Sequence, residues 1–216
     1  MYRQIALGYG TAMGLFRSTA ERKARALGID AARLPPGQYA TAKWPVLQAG
    51  AVPRRADLAT WTLTTSGAVE EPLSLSWDEF RALPSLDLQC DIHCVTRWSR
   101  FDMTFRGVPF SEIVRRTRPL PEATHVISHG ERGYTANLPF AVMDDDDVML
   151  AYEADGEPLS LEHGYPLRLV VPKRYFWKST KWLRGLEFSA VDKPGYWENY
   201  GYQNDADPFL EERTVF

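Results

Sequence analysis

The chain has 216 residues, of which 44% are hydrophobic and 25% charged, with a formal net charge of -3. This is an ordinary soluble composition, long enough for one sizeable core, and its acidic balance argues against general nucleic-acid binding. No sustained apolar run is long enough to span a bilayer, so no stable membrane insertion is expected. Met1 to Gly28 shows neither a compact signal-peptide core nor a twin-arginine pair, and two cysteines do not make a disulfide framework, so the expected compartment is the cytoplasm.

From the N terminus, Met13, Phe16, Ala20, Ala24 and Leu27 recur at helical steps among basic residues, and Gly28 is a natural stop. A basic helix or arm is expected within Met1–Arg33, ahead of a main domain over Leu34–Phe216. Leu34-Pro35-Pro36-Gly37, Trp44-Pro45 and Val52-Pro53 exclude helix interior, so this stretch should wrap along a surface. Regular structure resumes over Ala59–Val69, where Trp61, Leu63 and Thr65 alternate with Thr62 and Thr64 up to Gly67. Ser76 to Glu79 has the form of a capping box and leads a short helix closed by Pro84. A strand then places Leu88, Cys90, Ile92 and Cys94 on one face and Gln89, Asp91 and His93 on the other.

Beyond a break at Trp98, Met103–Phe105 reads as a short strand, Arg106–Pro109 as a turn and Phe110–Thr117 as a helix. Val126–Ser128 is a short strand, and His129 to Pro139 an irregular polar loop suited to ligand contact or to solvent. Asp144 to Asp147 reads as a solvated turn or helix start, because a single run lacks the spaced ligands of a calcium loop. Val148–Tyr152 is apolar, Leu159–Leu161 forms a short strand, and a strand through Leu169–Val171 delivers Arg168 near its start. The acidic tail from Asp192 carries aromatics that should pack back on the body. The whole is a strand-rich mixed α+β fold.

Two places carry chemistry. Cys90 and Cys94 in one strand have Cα atoms about 13 Å apart at a rise of about 3.3 Å per residue, too far to share a disulfide or one small ion. Cys94, beside His93, Arg97 and Arg100, is either a buried small hydrophobe or a thiolate ligand or nucleophile whose ionisation a nearby cation would favour. The second place is Lys173–Leu183, where Lys178, Ser179, Thr180 and Lys181 can clasp a phosphate or line a snorkelling strand face. A competing class is a structural zinc module built from Cys90, Cys94, His125 and His129, although pairs spread along strands are poor ligands for one ion.

The stretches Asp91–Ser99, Gly133–Pro139, Glu162-His163-Gly164 with Pro166 and Arg168, Lys178–Trp182, and Gly195-Tyr196-Trp197 with Gly201-Tyr202 are joined by a common resemblance. In order and spacing they resemble the molybdenum-cofactor domain of the sulfite-oxidase-like oxidoreductases, in particular its small stand-alone bacterial branch, from about Leu34 onward. The resemblance implies that fold, a molybdopterin cofactor, and Cys94 as the protein's thiolate ligand to molybdenum. It further implies that Arg168, Ser179 and Lys181, helped by Lys178, hold the pterin phosphate. His163 and the Tyr134 to Asn137 loop would hold the pterin, with His93 beside the ligand, and Tyr202 would be the active-site tyrosine. Arg97 or Arg100 would attract a small substrate. The upstream family arginine that helps bind sulfite has no counterpart. The resemblance thus implies two-electron oxygen-atom transfer, by preference reduction of a small S-oxide or N-oxide, with oxidation of sulfite or a related anion as the alternative. No haem segment or immunoglobulin-like dimerisation domain is seen, which implies a monomer with a separate electron-transfer partner.

Overall fold

The computed structural model describes residues 19–215. Helix α1 (19–26) is the later part of the expected basic helix and buries Ala24, while Met13 and Phe16 lie outside the described residues. Asp30 caps the 3-10 turn Ala31–Arg33 by accepting from the Ala32 N–H. Arg33 is tied to the body, with its guanidinium 2.6 Å from both Asp91 and Asp102.

Two sheets form the body. One contains β1 (Tyr39–Ala40), β4 (Leu86–His93), β5 (Trp98–Pro109), β8 (Met149–Ala154), β9 (Glu157–Pro158) and β10 (Arg168–Val170). The other runs in the order β3 (Ser74–Ser76), β2 (Thr62–Gly67), β11 (Leu183–Ser189), β6 (His125–Gly130) and β7 (Thr135–Pro139). The β1–β5 and β2–β11 pairings are parallel. Short helices α2 (Trp77–Arg81), α3 (Phe110–Thr117) and α4 (Phe140–Met143) join the strands, and the main core draws on both sheets and α3, with Leu63, Val126, Leu186 and Phe188 packed with Val108, Leu150, Leu169 and Ile113. This is the mixed α+β arrangement expected from the sequence.

Local chemistry explains several elements. Ser76 and Glu79 exchange both capping-box hydrogen bonds at the start of α2. In α3, Phe110, Ile113 and Thr117 face inward, while Glu112 pairs with Arg115 and Arg116.

Three expectations are corrected. Trp98 to Pro109 is one long strand, not a break, a short strand and a turn. Gly107 belongs inside it because a Cβ there would stand 2.2 Å from the Leu150 carbonyl oxygen, and a bulge lies between Arg106 and Gly107. Residues 129–139 are largely a hairpin: β7 pairs with β6 in register from His125↔Pro139 to His129↔Thr135, and only Glu131–Gly133 departs from it. Leu161–His163 is a 3-10 turn rather than the end of a strand.

Candidate active site

Cys94 sits one residue beyond β4, in the turn that leads into β5. Its N–H donates to the Trp98 carbonyl at 2.9 Å and its own carbonyl accepts from the Arg97 N–H at 3.0 Å, with Arg97 in the left-handed region at φ 78°. The shared face expected for Leu88, Cys90, Ile92 and Cys94 is present: all four pack in a second core cluster with Trp98, Met103 and Phe105. Cys90 stays in this apolar layer, and burial pushes its thiol up to about 12. Cys94 instead reaches a cavity of about 240 Å³. Burial raises its thiol as well, against a hydrogen bond to the Thr96 hydroxyl at 3.2 Å, so the thiolate needs a bound cation to be favoured.

The same cavity is lined by Tyr134, Arg168, Ser179, Lys181 and Tyr202. Arg168 is fully buried, and its guanidinium donates to the carbonyls of His163, Leu169 and Ser179 at 2.9, 3.3 and 3.0 Å. Lys181 donates to the carbonyls of Leu47 and Glu162 at 2.8 and 2.6 Å. Among the described residues neither cation has a carboxylate within ion-pairing distance. Burial accordingly pulls Arg168 down to about 9, and burial plus the Arg168 charge pulls Lys181 to about 7. The Ser179 hydroxyl accepts from the Val171 N–H at 2.9 Å, which leaves its own O–H free to donate. Trp98 adds a buried indole N–H with no protein partner. Two uncompensated cations and orphan donors around one cavity fit an anionic, acceptor-rich group.

Other expected site residues stand elsewhere. His93 turns to the opposite face of the hairpin, where it bonds the Ser99 hydroxyl at 2.8 Å and packs on Phe101 and Phe209. Lys178 is buried in an ion pair with Glu198 at 2.6 Å, and also donates to the carbonyl and side-chain oxygens of Asn137 at 2.8 and 3.1 Å. Asn137 in turn bonds Asp192, Asn204 and the Gly195 N–H. Lys178 and Asn137 therefore brace the wall behind the cavity instead of opening into it. His163 lies one layer out, stacked on Trp44 at 3.8 Å. Arg100 is paired with Asp155, and Arg97 is an exposed turn residue outside the cavity lining.

Sequence reasoning missed Trp44, which lines the cavity while packing over Arg168 and Phe176. Its signal was an isolated Trp-Pro in an irregular stretch, with no period to place it. The zinc module loses its geometry: Cys90 and Cys94 belong to the β4–β5 hairpin, His125 and His129 to β6 in the other sheet. Among the described residues no group of three or more His, Cys, Asp or Glu could hold a metal ion.

A buried thiol thus shares an aromatic cavity with two cations that lack carboxylate partners among the described residues, on an α+β two-sheet fold. Residues 49–197 match the oxidoreductase molybdopterin binding domain, and the chain belongs to that family, within the superfamily that includes sulfite oxidase-like, methionine-sulfoxide reductase and nitrate reductase proteins. It is 44% identical over 184 residues, covering 85% of this chain and 93% of the relative, to the uncharacterized oxidoreductase YuiH of Bacillus subtilis (strain 168). It is 30% identical over 175 residues to the protein-methionine-sulfoxide reductase catalytic subunit MsrP of Xanthomonas axonopodis pv. citri (strain 306), covering 71% of this chain and 54% of that protein. Among solved structures, the sulfane dehydrogenase SoxCD of Paracoccus pantotrophus matches with a TM-score of 0.57 and 27% identity, over 63% of this chain and 40% of that one. The chain thus spans about half the length of MsrP. The cytoplasmic placement expected from the sequence is corrected, because the MsrP relatives are periplasmic. Among the described residues no helix is long and apolar enough to cross a membrane.

Proposed function

We propose that the protein binds a molybdenum cofactor through Cys94, Arg168, Ser179 and Lys181 and reduces a small S-oxide or N-oxide by two-electron oxygen-atom transfer. The observation that carries this reading is the buried Arg168 and the half-buried Lys181, which lack carboxylate partners among the described residues and share a cavity with the Cys94 thiol. When bound, the cofactor supplies a two-electron couple and an acceptor for oxygen. Arg168 and Lys181 hold its phosphate by charge-assisted hydrogen bonds, the Ser179 hydroxyl donates a further one, and Cys94 is the soft sulfur ligand suited to molybdenum.

The cavity favours an uncharged substrate. Arg97 and Arg100, which would draw in an anion, do not line it, and Val95, Thr96, Trp98, Trp197 and Tyr202 are among the residues that do. Burial and the neighbouring Cys94 raise the Tyr202 phenol, so it stays protonated and can donate to a substrate oxygen. In balance, an S-oxide takes two electrons and two protons to give the sulfide and water, the electrons coming from a separate donor protein. The name of the MsrP relative supports the S-oxide choice.

The test is steady-state kinetics on cofactor-loaded protein, with reduced viologen and a panel of S-oxides and N-oxides against sulfite with ferricyanide. Reductase turnover is expected, and efficient sulfite oxidation without it would overturn the direction. Cys94→Ser should abolish activity and alter the metal–sulfur shell in X-ray absorption, whereas Cys90→Ser should be mild. An unchanged shell in Cys94→Ser would refute the ligation.

A further inference from the structure

The turn that presents Cys94 is gripped from behind by two segments outside the matched residues 49–197. From one side, the buried Gln38 side-chain amide donates to the Cys94 carbonyl at 3.0 Å, and the Tyr39 N–H donates to the Arg97 carbonyl at 2.8 Å. From the other, Arg213 donates through Nη1 to the Val95 carbonyl at 2.5 Å and reaches the Pro36 carbonyl at 3.4 Å. Its guanidinium lies over the Tyr175 ring, 4.9 Å from the centroid, and its one acidic neighbour among the described residues, Glu211, is a loose 3.8 Å away. Gly37 makes room for this arrangement: at φ 68°, a Cβ there would stand 2.3 Å from Glu211 Oε1 and 3.3 Å from Arg213 Nη2. Two consecutive carbonyls of the turn, those of Cys94 and Val95, are thus each held by a side chain brought in from afar. One of those side chains also places a weakly compensated positive charge behind the thiol.

We propose that Arg213 and Gln38 are positioning residues for the Cys94 thiolate, fixing the turn by its carbonyls while the Arg213 charge tunes the electron density that the sulfur offers to the metal. The proposal rests on the reading of Cys94 as the molybdenum ligand. Neither residue lines the cavity, and both contact the turn through its carbonyls.

Two readouts test it in Arg213→Met, Arg213→Lys and Gln38→Met. In cofactor-free protein, hydrogen exchange at the Thr96 and Arg97 amides should accelerate by about tenfold or more in Arg213→Met and Gln38→Met, with the β11 amide of Leu186 unchanged as a control. In cofactor-loaded protein, a redox titration followed by the molybdenum paramagnetic signal should show a lower midpoint potential in Arg213→Met. Arg213→Lys, which keeps the charge, should restore it, and Gln38→Met, which removes no charge, should shift it less than Arg213→Met does. Wild-type exchange at the turn in both neutral variants, or an unshifted potential in Arg213→Met, would overturn the proposal. Should Arg213→Met fail to fold, Gln38→Met carries the exchange measurement and Arg213→Lys, compared with Arg213→Gln, carries the potential. An unchanged metal–sulfur shell in Cys94→Ser would instead break the ligation reading, and the exchange measurement would still decide whether the turn is clamped.

Discussion

Arg168→Met separates binding from stability. In cofactor-free protein the buried guanidinium, held at about 9, carries a penalty of about 5 kcal/mol at about 1.4 kcal/mol per decade. Against this stand three hydrogen bonds to backbone carbonyls, worth about 1 kcal/mol each, and its contact over Phe176 at 4.1 Å, worth about 1 to 2 kcal/mol. The two sides nearly cancel. Replacement by a methionine of similar length should therefore change the stability of cofactor-free protein by no more than about 2 kcal/mol, a shift of at most about 8 °C in Tm for a chain of this size. Phosphate anchoring, by contrast, should weaken by about 2 to 5 kcal/mol, or about 30-fold to several thousand-fold. Denaturant melts of cofactor-free protein, together with molybdenum and pterin content after purification, measure the two effects. A variant that loses more than about 4 kcal/mol of stability yet keeps wild-type cofactor would refute the assignment of Arg168 to an anion and make it a structural residue.

Glu198→Ala should behave in the opposite way. It strands the Lys178 ammonium in a fully buried site and should cost about 3 to 5 kcal/mol, visible as a Tm drop of roughly 6 to 20 °C; a change under about 1 kcal/mol would show that the Asn137 oxygens alone satisfy Lys178. Acid should destabilise the protein: burial holds His93 and His163 at about 4, so between pH 6.5 and 4 the unfolded chain binds protons that the folded one refuses. The stabilisation is complete above pH 6.5 and lost as pH falls towards 4, by up to about 3 kcal/mol for the deeply buried His93. His93→Asn should flatten that part of the stability–pH curve, and an unchanged slope would contradict it.

How far the sequence spoke depended on the range of the contacts. The Ser76 capping box, the helix Phe110–Thr117 and the strand delivering Arg168 were readable because each is decided within a few residues. Arg106-Gly107-Val108-Pro109 misled because glycine beside proline signals a turn, whereas here the glycine answers to the Leu150 backbone from another strand. At the site, Cys94, Tyr134, Arg168, Ser179, Lys181 and Tyr202 do meet around one cavity. Lys178 has the same charge as Lys181 and lies three residues from it, yet it faces Glu198, a partner that no local pattern reveals. Gln38, Trp44 and Arg213 carried no motif, and their roles follow from tertiary contacts alone.

The hydrogen bond from Arg213 to the Pro36 carbonyl joins positions 177 residues apart, and both ends lie against the turn that holds Cys94. A nascent chain that has emerged only as far as Trp182 already carries the thiol, Arg168 and Lys181, but not the segment that brings Tyr202 into the wall or Arg213 behind the sulfur. Loop closure over such a span comes late in folding. The wall of the cavity is therefore completed only once the segment carrying Tyr202 and Arg213 has packed against the turn.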